Sequence, residues 1–128
     1  MEATLKKQLT TSYDEALAKI PEALKSEGFG VLTEIDVSQT LKNKLGVDFR
    51  RYKILGACNP TLAHRALSAT LDVGVMLPCN VVVYEDDDGR AAVLTVDPMQ
   101  TVAAGDPRLA DVAAAVRSKL GRVLEKLS

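Results

Sequence analysis

"CNVVVYEDDDGRAAVLTVDP", residues 79–98, decides the fold class. Two short runs rich in valine, "CNVVVYE" and "AAVLTVD", flank the polar tip "DDDG". β-Branched residues bounded by turn residues read as two strands, and so short a connection reads as a hairpin. Asp88–Gly89 supplies residues that tolerate the positive φ such turns need. A hairpin pairs its strands antiparallel, so this segment argues for a mainly antiparallel sheet rather than a doubly wound parallel one. Pro98 closes the second strand.

Working outward, Asp106 and Pro107 are expected to open a long C-terminal helix. Leu109, Val112, Ala113, Val116, Leu120, Val123, Leu124 and Leu127 form its apolar stripe. Upstream, "PTLAHRALSATL" reads as a helix with Asn59 as N-cap and Pro60 as first helical residue. Its apolar side carries Leu62, Ala63, Ala66, Leu67 and Thr70, and its polar side His64, Arg65 and Ser68. "YKILGACN", ending beside Cys58, reads as a strand covered in part on both faces. "FGVLTEIDV" places Phe29, Val31, Ile35 and Val37 on one alternate set, which predicts a strand with one buried face. "SQTLKNKLG" predicts a short helix capped by Ser38, with Leu41 and Leu45 turned inward. Nearer the N-terminus, residues 3–9 read as an edge strand. Ser12 and Glu15 then open a helix through Leu24 with a kink expected at Pro21.

The order of elements predicts one α+β domain over residues 1–128. It has two layers, a five-stranded mainly antiparallel sheet and helices packed on it. With 128 residues, 47% of them hydrophobic, the chain is long enough for a core without staples. The net charge of −1 gives no electrostatic case for nucleic acid. With 4% aromatics and no Trp, a base-stacking platform is also excluded. Charges interrupt the N-terminal segment and Pro78 breaks the longest apolar stretch, so neither a signal peptide nor a membrane span is expected. A cytoplasmic location follows as the expectation. There the two cysteines are expected to be free thiols, and one histidine is too few for a structural zinc site of Cys and His.

The paired punctuation "GACNP" (56–60) and "LPCN" (77–80) singles out the candidate site. Cys58, at a strand end just before a helix N-terminus, stands where a thiolate is stabilised. Cys79 begins the next strand beside Asn80. Two packed thiols beside a ligand pocket or dimer interface is the plain reading, since free cysteine is commonly buried. Redox chemistry, sulfur transfer or a cuprous site with Met76 as a further soft donor is the alternative. The basic stretch "KNKLGVDFRRYK" (42–53), above all Arg50, is a candidate for holding an anionic group, against the reading of a solvated loop anchored by Phe49 and Tyr52. The acidic run Glu85–Asp88 reads as a solvated hairpin tip. The candidate ligand-binding residues are therefore Cys58, Asn59, Pro60, Cys79, Asn80 and Arg50; no metal and no cofactor is expected.

"GFGVLTEIDVSQTLKNKLGVDFRRYKILGACNPTLAHRAL" followed by "VGVMLPCNVVVYED" resembles the domain of unknown function 302 family, with the "GACNP" and "MLPCN" blocks as the most specific part. The resemblance implies a compact α+β domain with a curved antiparallel sheet in a TBP-like arrangement, and a homodimer. It implies no catalytic residue. Together with the residues it leads to the expectation of a homodimer that binds a small ligand or a partner.

Overall fold

The computed structural model describes residues 4–128, with Val102 described as backbone only. Five strands, β1 (Thr4–Ser12), β2 (Gly30–Asp36), β3 (Tyr52–Cys58), β4 (Cys79–Glu85) and β5 (Arg90–Val96), form one sheet in the order β1-β5-β4-β3-β2. Every neighbouring pair is antiparallel. The β4–β5 hairpin turns at Gly89, whose φ of +79° is the conformation that glycine adopts without a Cβ penalty. Ala3, counted in the expected first strand, lies outside the described residues.

The helices are α1 (Tyr13–Ser26), α2 (Val37–Leu45), α3 (Pro60–Ala69), the single turn α4 (Val102–Gly105) and α5 (Ala110–Glu125). The Ser12 hydroxyl caps α1 by accepting the Glu15 N–H at 3.2 Å. The helix runs on for five residues beyond Pro21. Alternation sends Leu55, Ala57, Val81, Val83, Ala91 and Val93 to the inner face of the sheet. There they join Ala16, Ile20 and Leu24 of α1 and Val116, Leu120 and Val123 of α5 in the main core. The stripe foreseen on the last helix is the one that is buried.

Three expectations are corrected. α5 begins at Ala110, because residues 106–109 make a turn in which the Asp106 carboxylate accepts the Arg108 backbone N–H at 2.9 Å. α2 is capped by Asp36, whose Oδ1 accepts the Gln39 N–H at 3.0 Å; the Ser38 hydroxyl donates to the same carboxylate. Finally, β2 has no buried residue and neither has α2, so Ile35 and Leu45 are exposed and only Phe29 of that segment enters the core. The physical reason is position. β2 is the edge strand of the sheet, and α2 lies against β3 without burying any residue.

Candidate functional site

β3 and β4 pair with Ala57 opposite Cys79, so the two thiols stand one register step apart. Both are free and half-buried. β3 ends at Cys58 because Asn59 and Pro60 start α3. The Asn59 Oδ1 accepts the Leu62 N–H at 3.2 Å and its Nδ2 donates to the Glu27 carbonyl at 3.3 Å, which ties α3 to the end of α1. The last four residues of β3 and the first turn of α3 thus set Cys58 beside a helix start, as the spacing predicts.

Two adjoining apolar crevices open here. One, of about 90 Å³, is lined among others by Met76, Leu77, Cys79, Pro98, Leu109 and Val116. The other, of about 40 Å³, is lined among others by Phe29, Ala57, Cys58, Asn59, Leu62 and Cys79. They share Ala66, Leu77, Cys79, Val112 and Val116. The larger one lies in the seam between the main core and a small second cluster of Ala66, Val73 and Leu109. Polar groups stay at its margin. Asp97 is buried, accepts the Met99 N–H at 3.0 Å, and takes Arg117 Nε on both oxygens at 3.1 Å.

Burial in these apolar surroundings pushes the Cys79 thiol up, and the neighbouring Cys58 adds to it. A raised pKa keeps the thiol protonated near neutrality, the opposite of an activated nucleophile. Among the described residues no cluster of three or more His, Cys, Asp or Glu is arranged to hold a metal ion.

Of the six predicted residues, the fold brings together Cys58, Asn59 and Cys79. Pro60 is exposed at the start of α3. Asn80 is exposed on the outer face, opposite Gly56. Arg50 stands at the far end of β3, about 20 Å away along a seven-residue strand at ~3.3 Å per residue. There Arg50 donates to Asp87 at 3.0 Å and to the Glu85 carbonyl at 3.1 Å. Arg51 binds both Asp14 oxygens and Glu85, and lies over the Tyr13 ring at 4.6 Å. Lys53 pairs with Glu34 at 2.7 Å. Arg50 and Arg51 are thus bound to the acidic hairpin tip, at the end of β3 away from the cysteines. Missed from sequence were the residues that line the crevice from α5 and, apart from Met76, from the Leu71–Met76 turn. The α5 stripe marked Leu109 and Val116 as apolar, yet nothing local says that they face a gap.

These features define an open-faced α+β domain with a small apolar crevice beside two cysteines. The chain belongs to the domain of unknown function DUF302 family, whose profile matches residues 5–127. The crystal structure of an uncharacterized conserved DUF302 protein from Bacillus stearothermophilus is similar, with TM-score 0.90, 34% identity and complete coverage of both chains. A search of curated proteins finds no match. No helix among the described residues is long and apolar enough to cross a membrane.

Proposed function

We propose that the chain is a non-catalytic binding domain that works as a homodimer and takes a small apolar ligand, or the apolar end of a larger one, in the crevice over Cys79. The observation that carries this reading is the crevice itself, a gap in the seam between two cores, walled by aliphatic side chains. At about 90 Å³ it is smaller than the ~300 Å³ at which drug-sized sites begin. As it stands it holds a few heavy atoms, since benzene occupies an engineered apolar cavity of ~150 Å³, and a bicyclic ligand such as indole enters only as the crevice widens. The second cluster has only three buried members, so separating it from α5 to widen the gap disturbs little of the main core. The TBP-like arrangement and a cytoplasmic location belong to the same reading. Thiol chemistry is the alternative; it asks for an available thiolate, and the raised pKa of Cys79 argues against it.

The test is a titration with indole, followed by methyl resonances of Met76, Leu109 and Val116. Saturable shifts are expected in the native protein and none in Ala113→Leu, whose added methyl groups fill the gap that Ala113 lines. Shifts that never saturate, or that persist unchanged in the filled variant, overturn the reading.

A further inference from the structure

The crevice over Cys79 does not end blind. A second hollow, of about 300 Å³, adjoins it, and Val73, Met76, Ala103 and Leu109 line both. The two spaces differ in chemistry. No charged side chain lines the crevice, whereas Asp72, Asp106 and Arg108 line the hollow. Asp72 and Arg108 are exposed, while the shared Val73 and Leu109 are buried. The hollow is therefore the solvent end of a two-part site, and the crevice is its apolar inner end.

The three charges of the hollow do not cancel. Arg108 is bound to Asp106: its Nε donates to Oδ1 at 3.1 Å, its Nη2 to Oδ2 at 2.8 Å, and its backbone N–H to Oδ1 at 2.9 Å. These bonds hold the Asp106 carboxyl below its usual range and the Arg108 guanidinium above its own, and Asp72 adds to the second effect. Asp72 thus stands within electrostatic reach of the pair. Its own carboxylate accepts no hydrogen bond and makes no ion pair among the described residues. Two acids and one base leave the hollow with a net charge of −1, and Asp72 is the charge left over.

We infer that the ligand is a short-chain alkylammonium, a free primary amine whose tail fills the crevice and whose charged end stands in the hollow facing Asp72. The inference rests on the crevice reading above and adds the class of compound. Shape favours a linear tail, because the gap of about 90 Å³ takes only a few heavy atoms before it must widen, and it opens into a polar space. Charge selects the other end. A carboxylate meets the excess of negative charge, and Arg108 would have to leave Asp106 to receive it. A lysine side chain has the reverse polarity, with its ammonium at the free end, and would carry that charge into apolar surroundings at a desolvation cost. An amine with a free alkyl tail sets each of its parts where solvation suits it.

Titrations with n-pentylamine, 1-pentanol and pentanoate, followed by the methyl resonances of Val73, Met76 and Leu109, test this. They are run at about pH 7, where the amine is protonated and the acid ionised. The expected result is saturable shifts with the amine about three- to fivefold tighter than the alcohol, the upper range for a solvent-exposed ion pair, and the acid weakest. In about 1 M salt the preference for the amine is expected to vanish. Asp72→Asn should bring the amine to the affinity of the alcohol and leave the alcohol unchanged. Asp88→Asn, the same change of charge at the exposed hairpin tip, should leave the preference intact. An alcohol that saturates with an amine no tighter, or a preference that survives Asp72→Asn, overturns the inference and leaves the crevice reading standing. Pentanoate binding tightest also overturns it and makes Arg108 the receiving group. No saturable shift with any of the three overturns both.

Discussion

Gly56 sits in the middle of the sheet, between Thr33 on β2 and Asn80 on β4, and replacing it by alanine tests the packing that frames the two cysteines. A Cβ there would stand 2.1 Å from Thr33 Oγ1 and 2.9 Å from Pro78 Cγ. Its φ is not in the left-handed region, so alanine meets no backbone penalty and would ordinarily gain about 0.4–1 kcal/mol through the unfolded chain. Steric cost opposes that gain. Overpacking a filled site costs typically about 1–3 kcal/mol. The Thr33 hydroxyl can turn away, but its Cβ at 3.4 Å and the rigid proline ring cannot yield as easily. The net expectation for Gly56→Ala is a loss of about 1–2 kcal/mol, read as a lower urea midpoint at unchanged slope. Thr33 is exposed, so Thr33→Ala alone should stay within about 0.5 kcal/mol of the native protein. In the double variant the closer contact is gone, and a favourable coupling of about 1 kcal/mol should appear. A Gly56→Ala protein as stable as the native one, or a double variant with no recovery, would refute the reasoning.

Two further predictions concern the ties between helices. Arg122 and Lys126 hydrogen-bond Glu27 at 2.7 and 2.8 Å and hold its pKa down at about 2, well below the unfolded value of about 4.3. A depressed carboxylate stabilises the fold above the unfolded pKa and loses that contribution as pH falls from there towards about 2. Urea midpoints measured from pH 6 downward should therefore drop less steeply in Glu27→Gln than in the native protein over that window; parallel curves would contradict the assignment. Asn59 caps α3 and bridges to α1, so Asn59→Ala should cost about 1 kcal/mol in the same assay. Asn59→Ser, which keeps an accepting oxygen at the cap and is too short to reach the Glu27 carbonyl, should cost less. Equal losses in the two would show that the bridge outweighs the cap.

The hairpin, the α5 stripe and the Asn59–Pro60 helix start were legible because each is a local pattern with a local cause. What failed to read correctly depended on neighbours. Val31 and Ile35 alternate as core residues do, but a register shift between Val31 and Thr33 sets Val31 opposite Ala57 and Ile35 opposite Ile54, on different faces of an edge strand. Leu41 and Leu45 have the same spacing as buried residues, yet α2 buries none of its residues. Cys58 and Cys79 were recognised as companions by their flanking residues, and the β3–β4 register supplies the reason. Arg50 has surroundings that the local sequence does not show. Its partners Asp87 and Glu85 lie more than thirty residues away, joined by the pairing of β3 with β4. The gap beside Cys79 has no sequence signature at all, since it is formed by side chains that stop short of meeting.

The measurement that bears most directly on the central claim is the alkylation rate of Cys79 by iodoacetamide in the native protein against pH, with and without indole. The account predicts slow reaction at neutral pH, an apparent pKa above the ordinary ~8.5 of a free thiol, and further slowing when indole fills the crevice over the sulfur. Rapid alkylation at neutral pH with a pKa below that value, unaffected by indole, would contradict it and make the cysteine a reactive centre instead of the floor of a binding site.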